Sequence, residues 1–193
     1  MKKVILFVLT CFAVSGTFAQ SFFNGAGITV FVTTAQGSTA QAIGGLTYSP
    51  RVNFLENDHF SLSVGIPISL GASGSVNSQG SGDEGLNFLV NVPVLVNINI
   101  GAGSTKDNES RFGFFAGIGF GYQYGTVNET SYDGYGNAYD NSSTISTYGP
   151  MADAGVRIGV GQGTHNIEVR AQFMKGIDAS QANALGIGAV FNF

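Results

Sequence analysis

Arg51, Asp153, Arg157, Glu168 and Arg170 stand inside stretches that are otherwise apolar or rich in glycine. Opposite charges sharing one face of an extended chain can neutralise one another or line a path for ions. Other reactive side chains are sparse. His59 and His165 are the two histidines, and the single cysteine is Cys11. A hydrolytic triad needs a nucleophile, a histidine and a carboxylate within hydrogen-bond reach. The two histidines open extended segments that stand four apart in chain order, so neither a triad at an outer rim nor a shared metal is expected. Asp133 and Asp140 lack the spacing and closing Glu of a calcium loop. The glycines between Phe112 and Gly125 precede no helix and no Gly-Lys-Ser/Thr ending, which excludes a phosphate-binding loop. No catalytic, cofactor-binding or metal-binding residue is therefore expected, and the chain reads as a non-enzyme. The segment 126–145, TVNETSYDGYGNAYDNSSTI, mixes Tyr132, Tyr135 and Tyr139 with Asn, Ser and Gly, a composition suited to surface binding. A solvated loop without a partner is the plainer alternative.

Composition limits what can position these residues. The chain has 193 residues, of which 44% are apolar and 10% charged, with 29 glycines and no tryptophan. Soluble domains average about 25% charged residues. A membrane helix is excluded because Gly, Ser, Asn and Thr interrupt every apolar run after Ala19 before it reaches about 18 residues. Residues 1–19, MKKVILFVLTCFAVSGTFA, have the basic start, short apolar stretch and small-residue end of a cleaved signal peptide, leaving 20–193 as one domain. Cys11 falls within the peptide, so the mature chain should hold no disulfide. Six basic residues then oppose twelve acidic ones, a formal charge near −6 that argues against nucleic acid.

Beyond Gly25 the dominant pattern is a period of two. In 86–100, LNFLVNVPVLVNINI, the even positions are all apolar and the odd ones include Asn87, Asn91, Asn97 and Asn99. Similar segments run at about 22–34, 42–54, 59–71, 112–125, 146–160, 165–176 and 183–193, which makes eight. An even number of strands, each apolar on one face and polar on the other, predicts an all-β fold: an eight-stranded antiparallel up-and-down transmembrane β-barrel. Pro67 and Pro93 interrupt two segments, where bulges are expected. With both termini inside, the long connections 72–85 and 126–145 face outward. The turn at 101–111 is long for an inner one.

Parity directs Arg51, Asp153, Arg157, Glu168 and Arg170 inward, together with Phe31, Leu89, Leu95, Phe115, Met151 and Met174. A turn that places Val160 opposite His165 makes paired residue numbers sum to 325, which sets Arg157 against Glu168 and Asp153 diagonal to Arg170. An internal ion-pair network of these four residues is expected. An eight-stranded interior is only wide enough for side chains to fill it. A narrow porin-like channel, or a path for small apolar solutes, is the alternative, and a lipid-modifying enzyme a distant third.

The chain ends in outward Leu185, Ile187, Ala189, Phe191 and Phe193. With the export signal and the eight segments, it resembles the OmpA/OmpX-like family of small outer-membrane barrels. The resemblance implies residence in the outer membrane of a Gram-negative cell, a monomer in contact with lipid, and Phe191 and Phe193 as the assembly signal read by the barrel-assembly machinery. The plugged interior leaves a structural or surface-interaction role as the expectation, with an extracellular ligand met by the loops. No peptidoglycan-binding domain is expected after Phe193.

Overall fold

The computed structural model describes residues 21–34, 40–75, 85–132, 138–161, 164–178 and 181–193. The export signal expected in residues 1–19 lies outside the described residues, as does Tyr135. Extended backbone carries unsatisfied N–H and C=O groups along both edges, so every strand needs a neighbour on each side. Eight strands supply them: β1 (Ser21–Phe23 and Gly25–Thr34), β2 (Gln41–Tyr48 and Arg51–Asn57), β3 (Phe60–Gly65 and Ile68–Ser75), β4 (Gly85–Gly101), β5 (Phe112–Tyr132), β6 (Ala138–Gly159), β7 (Asn166–Lys175) and β8 (Asn183–Asn192). Each pairs antiparallel with the next in the chain. β8 returns to β1, from Asn183↔Thr34 to Asn192↔Gly25, and closes the barrel. The seam extends to the terminal residue, where the Phe193 N–H donates to the Asn24 carbonyl at 2.8 Å.

Alternation along the strands produces two chemically different surfaces. Leu46, Leu70 and Ile118 face outward, 72, 60 and 73% exposed, amid Ile, Val and Phe side chains. Ser, Thr and Asn fill much of the interior row, including Ser61, Asn91, Asn99 and Thr147. A surface apolar all the way round has no stable place in water and matches a hydrocarbon environment.

The prolines do not create the bulges expected at Pro67 and Pro93. Gly65↔Leu95 and Ser69↔Asn91 share one register, so the two prolines face each other across β3 and β4 with no residue inserted. Ile66 donates its N–H toward β2, to the Pro50 carbonyl at 3.1 Å. Position 67 therefore points toward β4, and the two missing donors fall on a single rung. The irregularity in this region lies elsewhere, between Phe54 and Asn57, where Leu55 adopts φ 50°.

Two connections also differ from the sequence reading. The long inner turn folds back into the mouth of the barrel, burying Ala102, Ser104 and Thr105, with Gly101 and Gly103 at φ 75° and 70°. At the opposite end, 126–145 is largely ladder rather than loop. β5 and β6 stay paired from Thr126↔Thr144 to Tyr132↔Ala138, which places Tyr132 and Tyr139 in strands.

Closure can be tested with a cysteine pair, because residues 20–193 contain no cysteine. Val30 and Ile187 are directly paired across the seam, and opposed residues in an antiparallel ladder lie within disulfide range. The Val30→Cys/Ile187→Cys protein should oxidise to an intramolecular disulfide in its folded form. Val30→Cys with Phe191→Cys should keep both thiols free, as read by mobility on non-reducing gels.

Candidate functional site

Glu168, the third residue of β7, is fully buried. Its neighbour across the ladder is Arg157 of β6, whose Nε donates to Oε2 at 2.7 Å. Arg170, on the same face of β7, donates from Nη2 and Nε to Oε1 at 2.6 and 2.9 Å. Arg51 reaches across the lumen from β2, its Nη1 3.3 Å from Oε2. Three guanidinium groups thus converge on one carboxylate. Asp153 supplies a second negative charge 3.7 Å from the Arg170 Nε, and its Oδ1 accepts from Asn97 Nδ2 at 2.8 Å. Asp153 pairs with Gln172 in the ladder and so lies diagonal to Arg170.

Aromatic faces and amides offset the excess positive charge. The Phe115 ring lies under Arg157 at 4.3 Å and Arg170 at 5.3 Å, while Phe23 lies under Arg51 at 4.7 Å. Such contacts strengthen when the cation is desolvated. Gly155 makes room for Phe115: a Cβ there would stand 2.6 Å from two ring atoms. Arg157 also donates to Asn99 Oδ1 at 2.9 Å, and Asn99 Nδ2 continues to Ser63 Oγ at 3.0 Å. The inner turn joins the cluster through its backbone, the Gly103 carbonyl accepting from Arg51 Nη2 at 2.9 Å.

Apolar layers lie beyond the charges. Leu95, Met151, Met174 and Ala184 form one buried cluster, and Phe31, Ile43 and Leu89 another nearer the far end. Together with the inner turn they fill successive levels of the lumen. The sequence reading placed Arg51 inward but not in the network. Its contact with Glu168 joins residues 117 positions apart and depends on closure.

The histidines lie apart from this cluster. His59 Nδ1 is 3.1 Å from Asn108 of the inner turn, and His165 stacks on Phe191 at 5.9 Å. Phe191 in turn stacks on Phe193 at 6.3 Å, and both are about half exposed on the outer wall. Among the described residues no three His, Cys, Asp or Glu side chains converge to hold a metal. The site is an electrostatic clasp across the lumen.

A closed eight-stranded antiparallel barrel, polar within and apolar without, is the architecture of the small outer-membrane proteins. Solved structures of that class superpose on the chain. Ail, the attachment invasion locus protein of Yersinia pestis, matches with a TM-score of 0.56 at 10% identity, over 90% of this chain and 98% of Ail. Its complex with the heparin analogue sucrose octasulfate gives 0.55 at 11% identity, over the same shares of both chains. Neisserial surface protein A gives 0.53 at 12% identity, over 90% of this chain and 97% of its own. At these identities the likeness is one of fold. No protein-family model and no curated protein sequence matches the chain.

Removing one side of a buried multiple ion pair strands the remaining charges. Glu168→Gln should cost about 3–5 kcal/mol of stability, measured by urea unfolding of the barrel refolded in lipid vesicles. Gly155→Ala leaves every charge in place, but its Cβ would meet the Val169 carbonyl oxygen as well as the Phe115 ring, and this overpacking should cost about 1–3 kcal/mol.

Proposed function

We propose that the protein is a monomeric, non-enzymatic barrel of the bacterial outer membrane that holds an interaction ribbon at the cell surface. The observation that carries this reading is the unequal height of the wall. β5 and β6 continue for seven residue pairs beyond Gly125↔Ile145, about 20–25 Å of ladder. Their segments there, TVNETSY and AYDNSST, are mainly polar. β7 ends at Lys175, and among the described residues no strand pairs with the far side of β6 between Ala138 and Ser146. Unpaired edges of this kind can bind extended polypeptide. The filled lumen argues against a porin-like channel, which would show as steady conductance in planar bilayers.

The ribbon, as the tallest extension of the wall, is taken to project outside the cell, which leaves both termini and the opposite rim in the periplasm. Phe191 and Phe193 then stand at the periplasmic edge, where they would serve as the segment recognised during barrel assembly. The outer connections 35–41, 72–85, 126–145 and 177–182 contain Asp83, Glu84, Glu129, Asp133, Asp140 and Asp178 but no Lys or Arg. Connections of this acidic composition repel polyanions. The sulfated ligand seen on Ail is therefore not carried over, and a neutral or basic extracellular partner fits better.

Liposomes carrying the refolded barrel should be retained on immobilised polylysine and pass over heparin. Deleting 130–142 should leave the heat-modifiable gel migration of a folded barrel intact and weaken both that retention and the adhesion of cells displaying the protein. Unchanged adhesion after the deletion would remove the ribbon from the proposal, and retention on heparin would overturn the choice of partner.

A further inference from the structure

The outer wall is not uniformly smooth. Along β6 the outward residues Pro150, Ala152 and Ala154 are short, whereas their ladder partners on either side include long ones. Phe120 and Ile118 of β5 pair with Pro150 and Ala152, and Phe173 of β7 pairs with Ala152 from the other side. Ile118 and Phe173 are 73 and 48% exposed. A groove therefore runs along β6, floored by Pro150 and Ala152 and walled by Ile118 and Phe173. Tyr148 stands at its ribbon end, with its ring 6.1 Å from that of Phe120.

Lys175 lines the same groove. It continues the outward row of Ile167, Val169, Ala171 and Phe173 and is exposed. Among the described residues it forms no ion pair. Every other Lys, Arg, Asp or Glu of the strands whose burial is described is turned inward or lies at a periplasmic strand end. A cation on the lipid side of a barrel is costly near the midplane and tolerated only toward the interface. Lys175 occupies the last position of β7, at the ribbon end, which the membrane reading puts toward the outer interface.

We infer that this groove is a binding site for an anionic, phosphate-bearing lipid of the outer leaflet, with an acyl chain along Pro150 and Ala152 and the headgroup phosphate on Lys175. The inference rests on the membrane reading above. Charge complementarity selects the occupant: an apolar channel ending in one unpaired ammonium fits a chain joined to an anion, and a zwitterionic lipid offers Lys175 no net charge. One lysine close to anionic lipid supplies about a fivefold preference.

The test uses the full barrel in phosphatidylcholine vesicles containing phosphatidylglycerol. Because the chain has no tryptophan, Phe120→Trp creates a single reporter beside the groove, on the ladder partner of Pro150. Phosphatidylglycerol with brominated chains should quench it as though enriched about fivefold over equally brominated phosphatidylcholine. Adding Lys175→Gln should bring the two lipids to parity without changing the quenching by phosphatidylcholine. Ala152→Phe should reduce quenching by both, since it fills the floor. Equal quenching in the Lys175 protein, or a preference that survives Lys175→Gln, overturns the inference. A reporter protein that neither migrates as a folded barrel nor is quenched by either lipid overturns the membrane reading instead.

Discussion

The closed ladder is the constraint on which the rest of the structure depends. In hydrocarbon no water can satisfy a free N–H or C=O, so an open edge is not tolerated at membrane depth. The β8–β1 seam removes that edge, and an even number of strands follows from joining antiparallel neighbours at one end. The same constraint governs the prolines. Pro67 and Pro93 withdraw two donors from the wall, and their opposition limits the loss to one rung.

Closure makes the interior a problem of mutual satisfaction. Every second residue faces inward, and those side chains must meet one another across a lumen too narrow for bulk water. Glu168 at the centre accepts from Arg51, Arg157 and Arg170, which come from three different strands. The clasp therefore ties opposite walls together, which backbone pairing between neighbours does not do. It is specific in shape as well as charge: Phe115 can lie beneath two guanidinium groups only because residue 155 is a glycine. A buried ion pair is weak evidence of net stability compared with an apolar filling, but breaking it leaves charge with no compensation.

Legibility in the sequence follows the same division. Facing and register were readable wherever one face is apolar, because a one-residue slip would reverse every side chain. The β6–β7 hairpin needed only one turn to fix Arg157 opposite Glu168. Arg51 was readable as inward, but its partner was not, since Arg51 and Glu168 meet through the curvature of the whole barrel. The ribbon was missed for a different reason: TVNETSY and AYDNSST have two polar faces, so the period of two that marks a strand disappears there. The inner turn looked merely long, and nothing in Gly101–Thr105 signals that the Gly103 carbonyl will meet an arginine in the lumen.

These differences divide the molecule into regions with different freedom to change. Inward residues are coupled through Glu168, so altering one disturbs partners on several strands and is felt as stability. Outward residues of the belt need only remain apolar, except where an individual charge such as Lys175 meets the interface. The ribbon beyond Gly125 and Ile145 is held by its own cross-strand pairing and serves neither the seam nor the clasp. Its sequence can change without unbalancing the barrel. A filled lumen leaves selectivity to such surfaces, and under the proposed orientation the acidic ribbon is the one directed away from the membrane.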